Sequence, residues 1–285
     1  MLNMNKILIV GLGLIGGSYA RCLTKANIDV YAITKNIEDI NYAKENGIIK
    51  DGYAYVSKDF VSKFDRIIMC LYPTTMLEWI KEYHSYISKS TIITDVSGVK
   101  ADIIYQIQDL LGEDIEFFGS HPMAGKELSG IENSDINLFK DANFIATPTN
   151  KNTINGFNFL EEIYICLGFK RMTFLTPDKH DKMIAFLSQL THAIAISLMN
   201  SNSDYKNLSL YTGDSFRDLT RIANINEDMW SELFLLNKKE LINSIDNFIK
   251  ELTTIRTKIE KDKVDDLKKL MKKSTYRRKF FNKAD

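Results

Sequence analysis

KILIVGLGLIGGSYA, Lys6–Ala20, is the stretch whose reading decides the fold. Lys6–Val10 (KILIV) is a short, almost wholly apolar run, as expected of a strand buried on both faces of a parallel sheet. Gly11, Leu12, Gly13, Leu14, Ile15 and Gly16 then match G-x-G-x-x-G, and Gly17-Ser18 leads into a predicted helix ending near Ala26. In that pattern Gly11 permits the tight turn, Gly13 lets the backbone approach a pyrophosphate, and Gly16 lets helix and strand pack closely. The helix N-terminal amides face the phosphates, and the helix dipole favours the negative charge. A lysine followed by an apolar run also superficially resembles a signal peptide. The glycines between Gly11 and Gly17 fit a phosphate loop far better than a hydrophobic signal helix.

Outward from this unit the chain alternates strands and helices. Asp29–Ile33 is the next predicted strand, and its end should present the residue that reads the adenosine ribose. Asp or Glu at that place binds the 2′-hydroxyl of NAD. Here it is Thr34 followed by Lys35, a hydroxyl and an ammonium that could accept a 2′-phosphate, so NAD and NADP both stay open. Glu38 and Asp39 come too late for that role. Further strands are expected at Arg66–Leu71, Thr91–Thr94, Ile115–Gly119, Phe144–Thr147 and Phe169–Phe174. Helices are expected at Thr74–Ile87, Ala101–Leu111 and about 152–167. The pattern is α/β, a Rossmann-type doubly wound parallel sheet over residues 1–176, with ligands beyond the carboxyl ends of its strands. After Thr176-Pro177 only helical periodicities remain, at Asp181–Asn200, Met229–Leu252 and Ile255–Met271. Residues 177–285 are therefore expected to form an all-α domain. Its helices are apolar enough to suggest the shared core of a homodimer, with a monomeric bundle as the alternative.

The 285 residues carry 37 Lys+Arg and 37 Asp+Glu, so no overall basic field argues for nucleic acid. The basic run Lys268–Lys283 suits a solvated helix end. Cys22, Cys70 and Cys166 are odd in number and widely spaced. That fits thiols in a reducing cytoplasm rather than a disulfide frame or a metal site. No uninterrupted apolar run approaches the ~18 residues of a membrane helix, so no membrane partner is expected.

Chemistry is concentrated in SHPMAGKELSG, Ser120–Gly130, which places His121 between a short apolar strand and a loop with two glycines. An imidazole there can take a proton near neutral pH without a metal; a merely solvated loop histidine is the plainer alternative. FRDLTRIA, residues 216–223, supplies Arg221 downstream. A base, a hydride acceptor and an anion holder together describe a dehydrogenase site.

GLGLIGGS, DVSGVK, SHPMAGKELSG, HDKMIAFLSQLTHAIA and FRDLTRIANINEDMW, in that order, resemble the prephenate/arogenate dehydrogenases of tyrosine biosynthesis in their short, monofunctional form. The resemblance implies oxidative decarboxylation of prephenate to 4-hydroxyphenylpyruvate, with hydride passing to NAD or NADP. It implies that His121 hydrogen-bonds and polarises the ring hydroxyl and that Arg221 grips a substrate carboxylate through a bidentate fork. A structural salt bridge is the other reading of Arg221, and the favoured one for Arg217. His192 matches the second histidine of the family's S-H-x-P-H pattern and would meet the side-chain carboxylate or keto group. Gln189 and Thr191 replace the first histidine and the proline, so a core role for His192 stays open. Glu127 matches an acid near the substrate entrance, and Trp230 an aromatic of the same pocket or plain core packing. The family's Gly-Ser is Ser97-Gly98 here. Either Ser97 bends round to meet His121 and substrate, or that hydrogen bond is lost. Lys100 lies near substrate or cofactor, or is a surface residue at a helix start. His84 and His180 match nothing catalytic, although His180-Asp181 recurs in the family at the domain junction. Three alternatives accompany this reading: an arogenate dehydrogenase, a generic imine or hydroxyacid reductase, and a dinucleotide-sensing regulator without chemistry.

Overall fold

Lys6–Val10 (β1) reads as a continuous apolar run because both its faces are covered. Ile7 and Ile9 pack on one side of the sheet and Leu8 and Val10 on the other, all at most 2% exposed. The structure, a computed structural model, describes residues 5–281. The remaining strands are Asp29–Ile33 (β2), Asp51–Tyr53 (β3), Arg66–Met69 (β4), Ile92–Asp95 (β5), Glu116–Pro122 (β6), Asn143–Thr147 (β7) and Arg171–Phe174 (β8). They form one sheet in the order β3-β2-β1-β4-β5-β6-β7-β8. All neighbours are parallel except β6 and β7. Helices Leu14–Lys25 and Ile154–Leu167 cover one face through Tyr19, Leu23, Phe159 and Ile163; Pro73–Tyr83 and Ala101–Leu111 cover the other through Met76, Ile80, Ile103 and Ile107. The doubly wound α/β architecture is as expected.

Two differences bear on function. β3 is absent from the expected pattern because a three-residue edge strand, DGY, is too short to show a period. β6 runs three residues further than expected and takes in His121. The antiparallel partner β7 causes this, pairing Gly119, Ser120, His121 and Pro122 with Thr147, Ala146, Ile145 and Phe144. His121 is thus a strand residue held by a ladder, not a loop residue.

From Pro177 onward the described residues hold helices only. The first begins four residues earlier than expected, with Pro177 in its first turn and the Thr176 hydroxyl accepting from the Lys179 amide. It continues through a π turn at Ala185–Gln189 to Asn200. By length and composition this helix is apolar enough to cross a membrane, with mean hydropathy 1.4, because scattered polar residues interrupt the apolar run yet are too few to bring its mean down to that of a polar helix. Its first turns are nevertheless tied into the sheet domain at Asp181. The expected helix Met229–Leu252 is two helices, Glu227–Leu236 and Lys238–Glu260. Asn237 interrupts them; it is buried, and its amide donates to the Asp181 carbonyl and Gln189 Oε1. The last helix is Val264–Arg278. Strands give way to helices after Phe174, whereas compact packing groups the chain as Met1–Asn237 and Lys238–Asp285.

Candidate active site

The carboxyl ends of β1, β4, β5 and β6 stand side by side in the sheet. They lead respectively into Gly11–Gly16, Leu71–Pro73, Asp95–Lys100 and the His121 segment. At the first of these, Gly11 has φ +99°, and a Cβ there would stand 2.4 Å from the Cys70 carbonyl oxygen. A Cβ on Gly16 would stand 2.0 Å from the Gly11 oxygen. The fold itself demands both glycines. Gly13 is different: it is exposed, and nothing lies within 4 Å of where its Cβ would be. Only the approach of a ligand would exclude a side chain there, which suits a pyrophosphate over the helix start. The helix Leu14–Lys25 begins with a Gly17-to-Gly13 bond, so the amides of Leu14, Ile15 and Gly16 point out of its first turn without intrahelical acceptors. The side chains of Leu12 and Leu14 are buried in the core, so these residues can offer a dinucleotide only backbone. Thr34 is half-buried at the end of β2 and Lys35 is exposed; no carboxylate occupies either place.

At the ends of β5 and β6 lies a buried polar cluster. His121 Nδ1 is 2.9 Å from His180 Nε2, and His180 Nδ1 is 2.7 Å from Asp181 Oδ1. Asp181 also accepts the backbone N–H groups of Lys100 and Ala101, each at 2.8 Å. Burial above all, with help from His180 and Lys100, holds His121 well below the usual histidine range. It is therefore a neutral imidazole at pH 7, able to accept a proton. Beside it Lys100 is wholly buried. Its ammonium donates to Asp95 Oδ2 at 2.5 Å, the Ser120 carbonyl at 2.6 Å and Ser97 Oγ at 3.2 Å. Three N–H groups meet three acceptors, so nothing remains for a substrate. Lys100 is therefore not a surface residue, and its donors are spent inside the fold.

Ser97 is corrected in the same way. It is 5% exposed, its amide and hydroxyl face Asp95, and the hydroxyl also lies 2.8 Å from the Val99 carbonyl. It does not turn toward His121. Gly98 does: a Cβ there would lie 3.9 Å from His121 Cε1 and 3.5 Å from Leu233 Cδ2. The hydroxyl one position early therefore serves Asp95, and His180 takes up the Nδ1 edge of His121.

A second cluster gathers Arg221, Glu127, His192 and Trp230. The Arg221 guanidinium donates to Glu127 Oε1, with the arginine side chain 64% exposed. His192 stacks on Trp230 with centroids 3.6 Å apart and an interplanar angle of 29°. Its Nδ1 lies 2.9 Å from the Ser188 carbonyl, leaving Nε2 as its second polar edge. Burial chiefly lowers its pKa, and Glu127 and Arg221 act on it in opposite senses. Helix Glu227–Leu236 links the clusters, since Trp230 and Leu233 lie one turn apart and Leu233 approaches Gly98 beside His121. Arg217 pairs instead with Asp214 on its own helix. Gln189 is buried, its amide donating to the Leu233 carbonyl and accepting from Asn237, and so supports that helix.

His180, Asp181 and Asp95 are the residues that sequence reasoning passed over. The available signal was the His180-Asp181 pair opening an apolar helix, and an acid, Asp95, closing an otherwise apolar strand.

With this geometry in place, comparison with known proteins adds the following. Residues 19–173 match a family described as prephenate dehydrogenase, nucleotide-binding domain, and residues 176–273 match prephenate dehydrogenase, dimerization domain. A prephenate dehydrogenase of Lactococcus lactis is 32% identical over 265 residues, covering 90% of this chain and 72% of its own. A cyclohexadienyl dehydrogenase of Zymomonas mobilis is 31% identical over 278 residues, covering 94% and 93%. The prephenate dehydrogenase of Aquifex aeolicus, solved in complex with hydroxyphenyl propionate and NAD+, superposes with a TM-score of 0.89 at 30% identity, covering 99% of each chain.

Proposed function

Because the chain belongs to the prephenate dehydrogenase family, we propose that it oxidises prephenate with loss of carbon dioxide, giving 4-hydroxyphenylpyruvate and reduced NAD. Residues 1–176 are assigned to the cofactor and 177–285 to substrate and dimerisation. Bound NAD+ supplies the hydride acceptor. The observation that carries the reading is His121 itself, a half-buried neutral imidazole on a laddered strand end of the sheet whose β1 leads into the glycine loop, and one helix away from Arg221.

The ring hydroxyl donates to His121 and passes its proton there as the carbinol C–H leaves as hydride. The carbonyl so formed draws electrons from the ring C–CO2 bond, which breaks to release carbon dioxide and leave an aromatic phenolate, and this takes the proton back from His121 to become the phenol. Arg221 holds a substrate carboxylate, and Glu127 competes with that carboxylate for the guanidinium. His192, braced on Trp230, offers Nε2 to the side-chain keto or carboxylate oxygens. Ser97 and Lys100 contribute through Asp95 and the Ser120 carbonyl rather than by contact with substrate.

The test is turnover of prephenate and arogenate with NAD+ and with NADP+, followed by cofactor reduction and carbon dioxide release. Faster turnover of arogenate overturns the substrate choice, and no carbon dioxide from either overturns the reading altogether. Arg221→Ala is expected to raise KM for prephenate roughly thirtyfold, about 2 kcal/mol, with a much smaller change in kcat, because the contact is made in ground and transition states alike. Equal KM values in variant and parent would end that assignment.

Dimerisation is supported by apolar residues that each unit leaves in water. Phe186, Leu187 and Met199 are exposed on the helix beginning at Pro177, and Ile242, Ile249, Leu252 and Ile259 on Lys238–Glu260. Light scattering should give twice the single-chain mass; a monomer at assay concentration removes the dimer. Free thiols at Cys22, Cys70 and Cys166 suit a reducing cytoplasm.

A further inference from the structure

Building on the reading of His121 as the proton acceptor, we propose that His180 and Asp181 are positioning residues that fix its tautomer, keeping the proton on Nδ1 and leaving Nε2 bare for the substrate hydroxyl. The chain of contacts is decided from its far end. The backbone amides of Lys100 and Ala101 can only donate, and they take one oxygen each of Asp181. An ionised Asp181 accepts everywhere, so His180 Nδ1, 2.7 Å away, carries a proton. Burial holds His180 down at about 3, so it is neutral and its Nε2 is a lone pair. His121 Nδ1, 2.9 Å from that lone pair, must donate to it. A neutral His121 then has no hydrogen on Nε2.

The scaffold makes this order rigid. His180 is fully buried, and Asp181 is fastened by the two amides and, through its own carbonyl, by Asn237. The other charges close to the pair are Lys100 and Asp95, which pair with each other, and Asp178 one turn earlier on the same helix, whose carboxylate accepts from the Tyr105 hydroxyl and adds to the rise of Asp181; Leu233 from the facing helix is apolar. The arrangement has the logic of an acid–histidine pair in a hydrolase triad, with a second imidazole in place of the nucleophile.

The order reverses in acid. Burial raises Asp181 to about 6 against the opposing pull of its two backbone donors. The working form is the ionised carboxylate, so its effect is complete above that value and lost as pH falls through it. A protonated Asp181 donates to His180 Nδ1, His180 then donates from Nε2, and the proton of His121 moves to the edge that faces substrate. Burial also holds His121 well below the usual histidine range, and the acid limb of kcat is assigned to Asp181.

The experiment is heteronuclear NMR of the imidazole nitrogens in the full-length protein at mildly alkaline pH, paired with kinetics of His180→Leu, His180→Gln and Asp181→Asn. His121 in the parent should be the pure Nδ1–H tautomer. His180→Leu should lose that purity and lower kcat roughly a hundredfold, with KM within about threefold. His180→Gln, whose Oε1 can take the same N–H, should restore the tautomer and most of the rate. Asp181→Asn should lack the acid limb near 6. A proton on Nε2 of parent His121, or an unchanged tautomer in folded His180→Leu, overturns the proposal. The parent spectrum decides even if a variant does not fold. A correct tautomer in a protein that does not oxidise prephenate would sink the assigned reaction and leave the positioning intact.

Discussion

His121→Asn is expected to lower kcat for prephenate about a thousandfold, and kcat/KM by the same factor, while NAD+ binds within about twofold of the parent. Asparagine can still donate to His180 Nε2 from its own amide, so the half-buried contact at 2.9 Å has a replacement and the strand ladder of β6 is untouched. What it lacks is a basic lone pair for the hydroxyl proton, and that proton moves only as hydride leaves. The loss therefore falls on the transition state. The proposed dinucleotide loop, Gly11–Gly16, lies at another strand end, so cofactor affinity should not follow it. Stopped-flow reduction of NAD+ and a fluorescence titration of the dinucleotide measure the two effects separately. A variant within tenfold of the parent leaves the proposed chemistry without its base, and favours a reductase that draws its acid–base group from elsewhere in the helical half.

That expectation rests on a residue visible in the sequence, but its setting was not. The glycine loop was legible because each glycine answers a local demand, a turn at φ +99° or a 2.0 Å approach, that the string of letters records directly. The first two strands and the helix Ala101–Leu111 were legible for the same kind of reason, since burial on two faces leaves an unbroken apolar run and burial on one leaves a stripe. The extension of β6 through His121 depends on β7, more than twenty residues away, pairing antiparallel in a sheet otherwise parallel up to that point. No local pattern announces it. The helix break at Asn237 likewise depends on Asp181 and Gln189, 56 and 48 positions away. Ser97 and Lys100 were visible as residues of the right kind in the right loop. Their direction was set by Asp95, whose carboxylate collects the Ser97 and Ser120 amides as well as the ammonium. A motif says which groups gather at a strand end, whereas long-range acceptors decide which of them still face outward.

Lys100→Met should accordingly be a stability variant before it is an activity variant. The ammonium is 0% exposed and Asp95 1% exposed, so the pair is far from the solvent that makes surface ion pairs nearly worthless. Assembling such a pair from water gains little net, because desolvating both ions costs about what their attraction returns. Removing one partner is another matter. Methionine fills much the same volume, but Asp95 then keeps its Ser97 and Ser120 donors without a counter-charge, and the Ser120 carbonyl loses the donor that fixes the backbone just before His121. A loss of about 3–5 kcal/mol is expected, visible in urea unfolding as a lower midpoint at constant slope. Adding Asp95→Asn removes the stranded charge, so the double variant should be more stable than the sum of the two single losses allows. The KM for prephenate in the protein that remains folded should stay within about threefold of the parent, because the three N–H groups of Lys100 are already taken inside the fold. Parent-like stability with a raised KM would show that Lys100 meets the substrate after all, and that the buried cluster is not what orients His121.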